Sequence, residues 1–237
     1  MSRKIHKLNT ITVAAALMAL LGAMNSHAAP NIKKYNVTIN NLTSGQPLTP
    51  PVVATHRKAL DVFELGEPAS FEVKEIAENG NVAPLAAALA ANKHVFESKV
   101  GAGPIFHGGG TLNFEINASP PAKYLSFVSM LICTNDGFTG LDAQRLPKKI
   151  GDSVTVSLGA YDAGTEINTE DFADIVPPCQ GLVGVMSGDA GTGMSNPALA
   201  EGGFIHSHLG IVGGVDLVPS VHGWIDPVAS VVITRIE

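Results

Sequence analysis

Apolar residues recur at every second position over several short stretches. "YNVTINNL" (35–42) sets Tyr35, Val37 and Ile39 against Asn36, Thr38 and Asn40. "TLNFEINA" (111–118) sets Leu112, Phe114 and Ile116 against Asn113, Glu115 and Asn117. "DSVTVSLGAY" (152–161) repeats the pattern with Val154, Val156 and Leu158. A period of two places one face of a strand inward and the other in water. "PPVVATHR" reads as a strand entered through proline, and "GFIHSHLGI" (203–211) and "VASVVITRI" (228–236) as two more. "KYLSFVSMLIC" (123–133) is apolar almost throughout, which predicts a longer strand buried on both faces. "PASFEVKEIAENG" and the Ala-rich "APLAAALAANK" break the pattern and predict short helices. Strands separated by turns, with one or two short helices, predict an all-β antiparallel sandwich. The aperiodic, Gly-rich stretch 177–203 predicts a long surface loop. The glycines of "GAGPIFHGGG" (101–110) lead into a strand rather than a helix, so they predict a hairpin turn and not a phosphate cradle.

Composition agrees with this reading. Charged residues make up 15%, and 25 Gly and 15 Pro supply many turns. The first 28 residues stand apart. Arg3, Lys4 and Lys7 precede an apolar run over 11–24, and small residues stand at Ser26 and Ala28. This is the pattern of a secretory signal peptide cleaved after Ala28, and the run is shorter than the roughly 20 residues of a spanning helix. No later stretch is apolar enough to span a membrane. The predicted organisation is a signal peptide at 1–28 and one sandwich domain at 29–237, in a protein secreted or periplasmic. Without its signal the chain keeps 12 basic and 21 acidic residues, a balance of −9. Such a surface excludes nucleic acid as partner and suits cations.

Export permits a disulfide between Cys133 and Cys179, the alternative being two buried thiols. A bridge would tie the loop after "YDAGTE" to the turn at Asp136.

The candidate chemistry lies in two Gly-bearing turns. "TNDGF" (134–138) carries Asp136, and "YDAGTE" (161–166) carries Asp162 and Glu166, with Asp142 as an outer partner. Calcium takes six to eight oxygens, and loops at one end of a sandwich supply them readily. The spacing is not that of an EF-hand, and Asp-Gly pairs are also plain turns. A second "DAGT" at 189–192 has Gly193 where Glu166 stands, and its single Asp189 does not make a site. His206, His208 and His222 offer a three-histidine zinc site, with His206 and His208 on one strand face. The simpler account is two histidines on a strand surface. There is no nucleophile motif, and one Trp and three Tyr make no sugar platform.

"YNVTINNLTSGQPLTPPVVATH", "LGEPAS", "LSFVSMLICTNDGFTGLDA", "AYDAGTEINTE" and "WIDPVASVVITRI" follow one another in an order that resembles the spondin N-terminal domain in its bacterial secreted form. The likeness runs over roughly 35–237. It implies an antiparallel β-sandwich akin to calcium-dependent membrane-binding modules. It also implies calcium (Ca2+) ligands at Asp136, Asp162 and Glu166. The last acid is Glu here where the F-spondin form has Asp, and Cys133 and the 177–203 loop depart from the family pattern. The expected function is a secreted, non-catalytic calcium-binding module for extracellular adhesion or interaction. Its partner would be a protein, a glycan or an anionic surface. Two alternatives stand beside it: a zinc-dependent enzyme on His206, His208 and His222, and an ion-independent carbohydrate-binding or structural module.

Overall fold

The computed structural model describes residues 31–237. The signal peptide expected at 1–28 lies outside the described residues.

The alternating stretches form one antiparallel sheet. Its strands are β1 (Lys33–Asn41), β4 (Thr111–Ala118), β7 (Ser153–Leu158) and β10 (Ala229–Arg235), in the order β4-β1-β10-β7. The second sheet holds β2 (Val52–His56), β3 (Val95–Val100), β5 (Tyr124–Met130), β6 (Gly137–Arg145), β8 (Tyr161–Asp162) and β9 (His206–Ser207), in the order β3-β2-β5-β6-β8-β9. Val37, Ile39, Ile116, Val231 and Ile233 of the first sheet close on Val53, Leu125, Phe127 and Leu131 of the second, all buried. This is the sandwich interior that the period of two demands.

The second sheet is covered on its other face as well. Helices α1 (Phe71–Asn79) and α2 (Ala83–Ala91) pack Val73, Ile76, Leu85 and Leu89 against Val52, Ala54, Val128 and Met130. That third layer is why β2 and β5 are buried almost without a break and do not alternate. Helix α1 starts where the Ser70 side chain accepts from the Val73 N–H. It ends at Gly80, whose left-handed backbone returns its N–H to the Ile76 carbonyl.

Four expectations are corrected. Residues 203–211 form no full strand, only the two-residue β9, because chain breakers at Gly202, Gly203 and Gly210 confine it. The 177–203 stretch is not all loop: it opens with the short helix α3 (Pro178–Val183), which proline starts and left-handed Gly184 stops. The glycines of 101–110 do not close a hairpin, since β3 and β4 belong to different sheets. Strand β6 was not anticipated; two glycines and a bulge opposite Leu125 and Phe127 hide its period.

Candidate functional site

Strand β6 leaves the "TNDGF" turn directly after Asp136, and β8 pairs with it so that Gly137 faces Asp162. The pairing brings the two turns together. The Ala163 N–H donates to the Asp136 carbonyl at 3.1 Å. The Asp136 side chain then gathers the second turn. Its Oδ2 accepts from the Thr165 N–H at 2.8 Å, the Glu166 N–H at 3.1 Å and the Thr165 hydroxyl at 3.2 Å. Asp162 Oδ1 accepts from the Gly164 N–H at 2.8 Å, and its Oδ2 from Asn168 Nδ2 at 2.6 Å. Gly164 sits at φ +66°, which turns the chain sharply between Asp162 and Glu166.

All three carboxylates are buried, Asp136 at 0%, Asp162 at 2% and Glu166 at 3% exposure. Among the described residues no lysine or arginine pairs with any of them, and Asp136 Oδ1 has no hydrogen-bond partner. A buried charge is normally paired. Two of the acids titrate accordingly. Burial first, then the Asp162 charge, pushes Asp136 up to about 7, against the pull of the Thr165 and Glu166 N–H groups. Burial, then the Glu78 charge, pushes Glu166 up to about 7. The donor set and the orphan oxygen fit a hard cation with oxygen ligands. The three acids are nonetheless not gathered on one point. Among the described residues, the groups of three acids, histidines or cysteines whose ligand atoms all lie within 4.8 Å of one another are two others, Cys133/Cys179/His222 and Asp171/Asp189/Asp216.

These shifts set a pH dependence. A carboxyl that keeps its proton up to about pH 7 when folded, but loses it near pH 4 when unfolded, makes the folded state bind more protons between those values. Stability therefore falls as pH rises across that window. In chelator, the protein is expected to melt higher at about pH 5 than at about pH 7.5. Calcium added at the higher pH should narrow the gap; equal melting temperatures in chelator would contradict the assignment of these two acids.

Asp142 is not an outer ligand: its Oδ1 accepts from the Val62 N–H at 2.7 Å and from the Ser126 hydroxyl at 3.1 Å, which fixes a loop onto β6. The disulfide is present, Cys133 to Cys179, and joins α3 to the strand end three residues before Asp136. It also removes Cys133/Cys179/His222 from metal chemistry, because the sulfurs are bonded to each other. Nor do the histidines assemble as a trio. His222 is fully buried, edge-on to Phe172, and accepts from the Val218 N–H. His206 is exposed, while His208 is buried against Trp224, so the two do not share an exposure. Both line a cavity of about 360 Å³ with Asp162 and Asn168; His222 does not.

Sequence reasoning missed three acids that the fold makes structural or clustered. Asp189 is not alone, for Asp171 and Asp216 lie beside it. Glu170 is buried, with its oxygens taken by the Val212, Gly213 and Gly214 N–H groups. Each partner comes from a segment remote in sequence, so no local spacing announces them.

A search of curated proteins finds no match. A family model described as Spondin_N matches residues 42–172, a span that contains both turns and all three of their acids.

Proposed function

The chain belongs to the spondin N-terminal domain family, and on that footing we propose that it is an exported β-sandwich module that binds calcium between its two acidic turns and serves extracellular adhesion or interaction. The observation that carries the reading is Asp136. It is a fully buried carboxylate that cross-links both turns through one oxygen and leaves the other without a partner. Asp162 and Glu166 stand on the turn that Asp136 holds. Calcium would offset two of the three negative charges and stiffen this end of the sandwich. Among the described residues no helix is long and apolar enough to cross a membrane.

An interaction role draws support from the surface next to the acids. Leu209 and Val212 line the cavity beside Asp162 and are 92% and 78% exposed. Contiguous exposed aliphatic side chains mark surfaces that meet a partner.

Thermal unfolding in calcium and in chelator tests the proposal. An ion at a hundred times its dissociation constant adds about 2.7 kcal/mol, or about 5–10 °C for a chain of this size. The shift is expected in the wild type and lost in Asp162→Asn. A metal-free protein whose melting temperature ignores calcium would refute it.

A further inference from the structure

Glu78 is the least expected buried group in the molecule. It is the penultimate residue of α1, and only 3% of it is exposed. A carboxylate there faces the negative end of the helix dipole, which disfavours it. Its Oε2 meets Lys74 Nζ at 2.5 Å, one turn back on the same helix. Its Oε1 is buried without a hydrogen-bond partner. A buried carboxylate with one oxygen unanswered is costly unless something else supplies positive charge.

Its surroundings lead to the acidic turns. Lys74 Nζ donates to the Ser195 hydroxyl at 2.9 Å, and Asn79 Nδ2 donates to the same hydroxyl at 3.1 Å. The next residue, Asn196, offers its N–H to Glu166 Oε1 at 3.4 Å. Two consecutive residues thus bridge the end of α1 to Glu166. Glu78 is also the strongest neighbouring charge acting on Glu166, ahead of Asp136 and Asp174. Among the described residues, two buried carboxylate oxygens lack partners, Asp136 Oδ1 and Glu78 Oε1, and Glu166 is coupled to both residues.

We propose that Glu78 is a further carboxylate ligand of the cation site, brought toward Glu166 by helix α1 and the 195–196 segment, with Lys74 as the counter-charge that holds it in the metal-free protein. The inference rests on the calcium reading above and extends it from the two turns to the helical layer. It also accounts for a glutamate at a helix end where the dipole and burial both oppose one. The cation would then tie α1, the 195–196 segment and both turns into one unit. Lys74 competes with the ion for Glu78, so removing the lysine should favour the ion.

Calorimetric titration of calcium into the purified wild type, Glu78→Gln and Lys74→Met decides the matter. Glu78→Gln should weaken binding by roughly ten-fold or more, as loss of a charged ligand does. Its melting temperature in chelator should stay level or rise, since an uncompensated charge has gone. Lys74→Met should bind calcium roughly three-fold tighter or better, because a unit charge beside the site has been removed. Wild-type affinity in Glu78→Gln would overturn the role of Glu78 while leaving the calcium reading intact. A wild type that takes up no calcium overturns both. Should Glu78→Gln fail to fold, Lys74→Met decides alone, and unchanged affinity there overturns the proposal.

Discussion

Replacing Cys133 and Cys179 together by alanine is expected to lower the unfolding free energy by about 4 kcal/mol, the loop-closure value for the 46 residues between them. The bridge closes a loop that contains β6, β7, β8 and the whole "YDAGTE" turn. Without it, the unfolded chain regains the freedom of that loop, and α3 is left with few holds. It is six residues long and has no side-chain cap at its start. Both cysteines are fully buried. Reductant should therefore act slowly on the folded protein and quickly once it opens. The measurement is urea unfolding of the double variant beside the oxidised wild type. A loss below about 1 kcal/mol would show that packing around α3, and not the cross-link, holds this end together. The effect should reach the acids too, because Cys133 leads straight into the Asp136 turn. Gln46 clasps Cys133 on both sides, through its N–H to Gln46 Oε1 and its carbonyl to Gln46 Nε2.

The second large effect is expected at Gly164. A methyl group there would stand 2.6 Å from both the N and the O of Phe204, backbone atoms that cannot swing aside. The residue also sits at φ +66°. Left-handed backbone costs a side-chain-bearing residue about 1–2 kcal/mol, and forced contact in a packed place about 1–3 more. Gly164→Ala should thus lose about 2–5 kcal/mol by urea unfolding and should blunt any calcium response, since the turn that carries Asp162 and Glu166 must shift. Gly202→Ala is the matched control. Its φ is +67° and nothing lies within 4 Å of the added methyl. It should show the conformational cost alone, and equal losses at the two glycines would mean that the close approach of 164 to 204 is unimportant.

The strands were legible where one face meets water. β1, β4 and β7 could be read from alternation because their sheet has a polar outer side, with Asn36, Thr38 and Asn113 outward. β5 was legible as a buried run, and the helices that bury its far side as Ala- and Leu-bearing segments. β3 and β6 were not. β3 is a half-exposed edge strand, and β6 is bulged and glycine-bearing, so neither keeps a period. His206 and His208 do line one cavity, as two residues apart on a strand predicts, but the strand is only two residues long, their burial differs and His222 does not join them. That the two turns meet was legible through resemblance to the family, and β6–β8 pairing gives it a physical basis. Glu78 could not have been read. A glutamate in "FEVKEIAEN" looks like any solvated helix position. Only the segment that carries Ser195 and Asn196, packed over the helix end, makes it an interior group.

The adjacency of β1 and β10 bears on how the molecule comes to exist. Tyr35 pairs with Arg235 and Asn41 with Ala229, at the centre of the four-stranded sheet. β1 therefore waits for β10, which is made only after all the other strands of both sheets. Until then Val37 and Ile39 have half their sheet missing, and closing so long a loop is entropically slow. A nascent chain of this topology remains open and pliable while it lengthens. If the export that the proposed function requires passes the chain unfolded, the sheet is sealed only after passage.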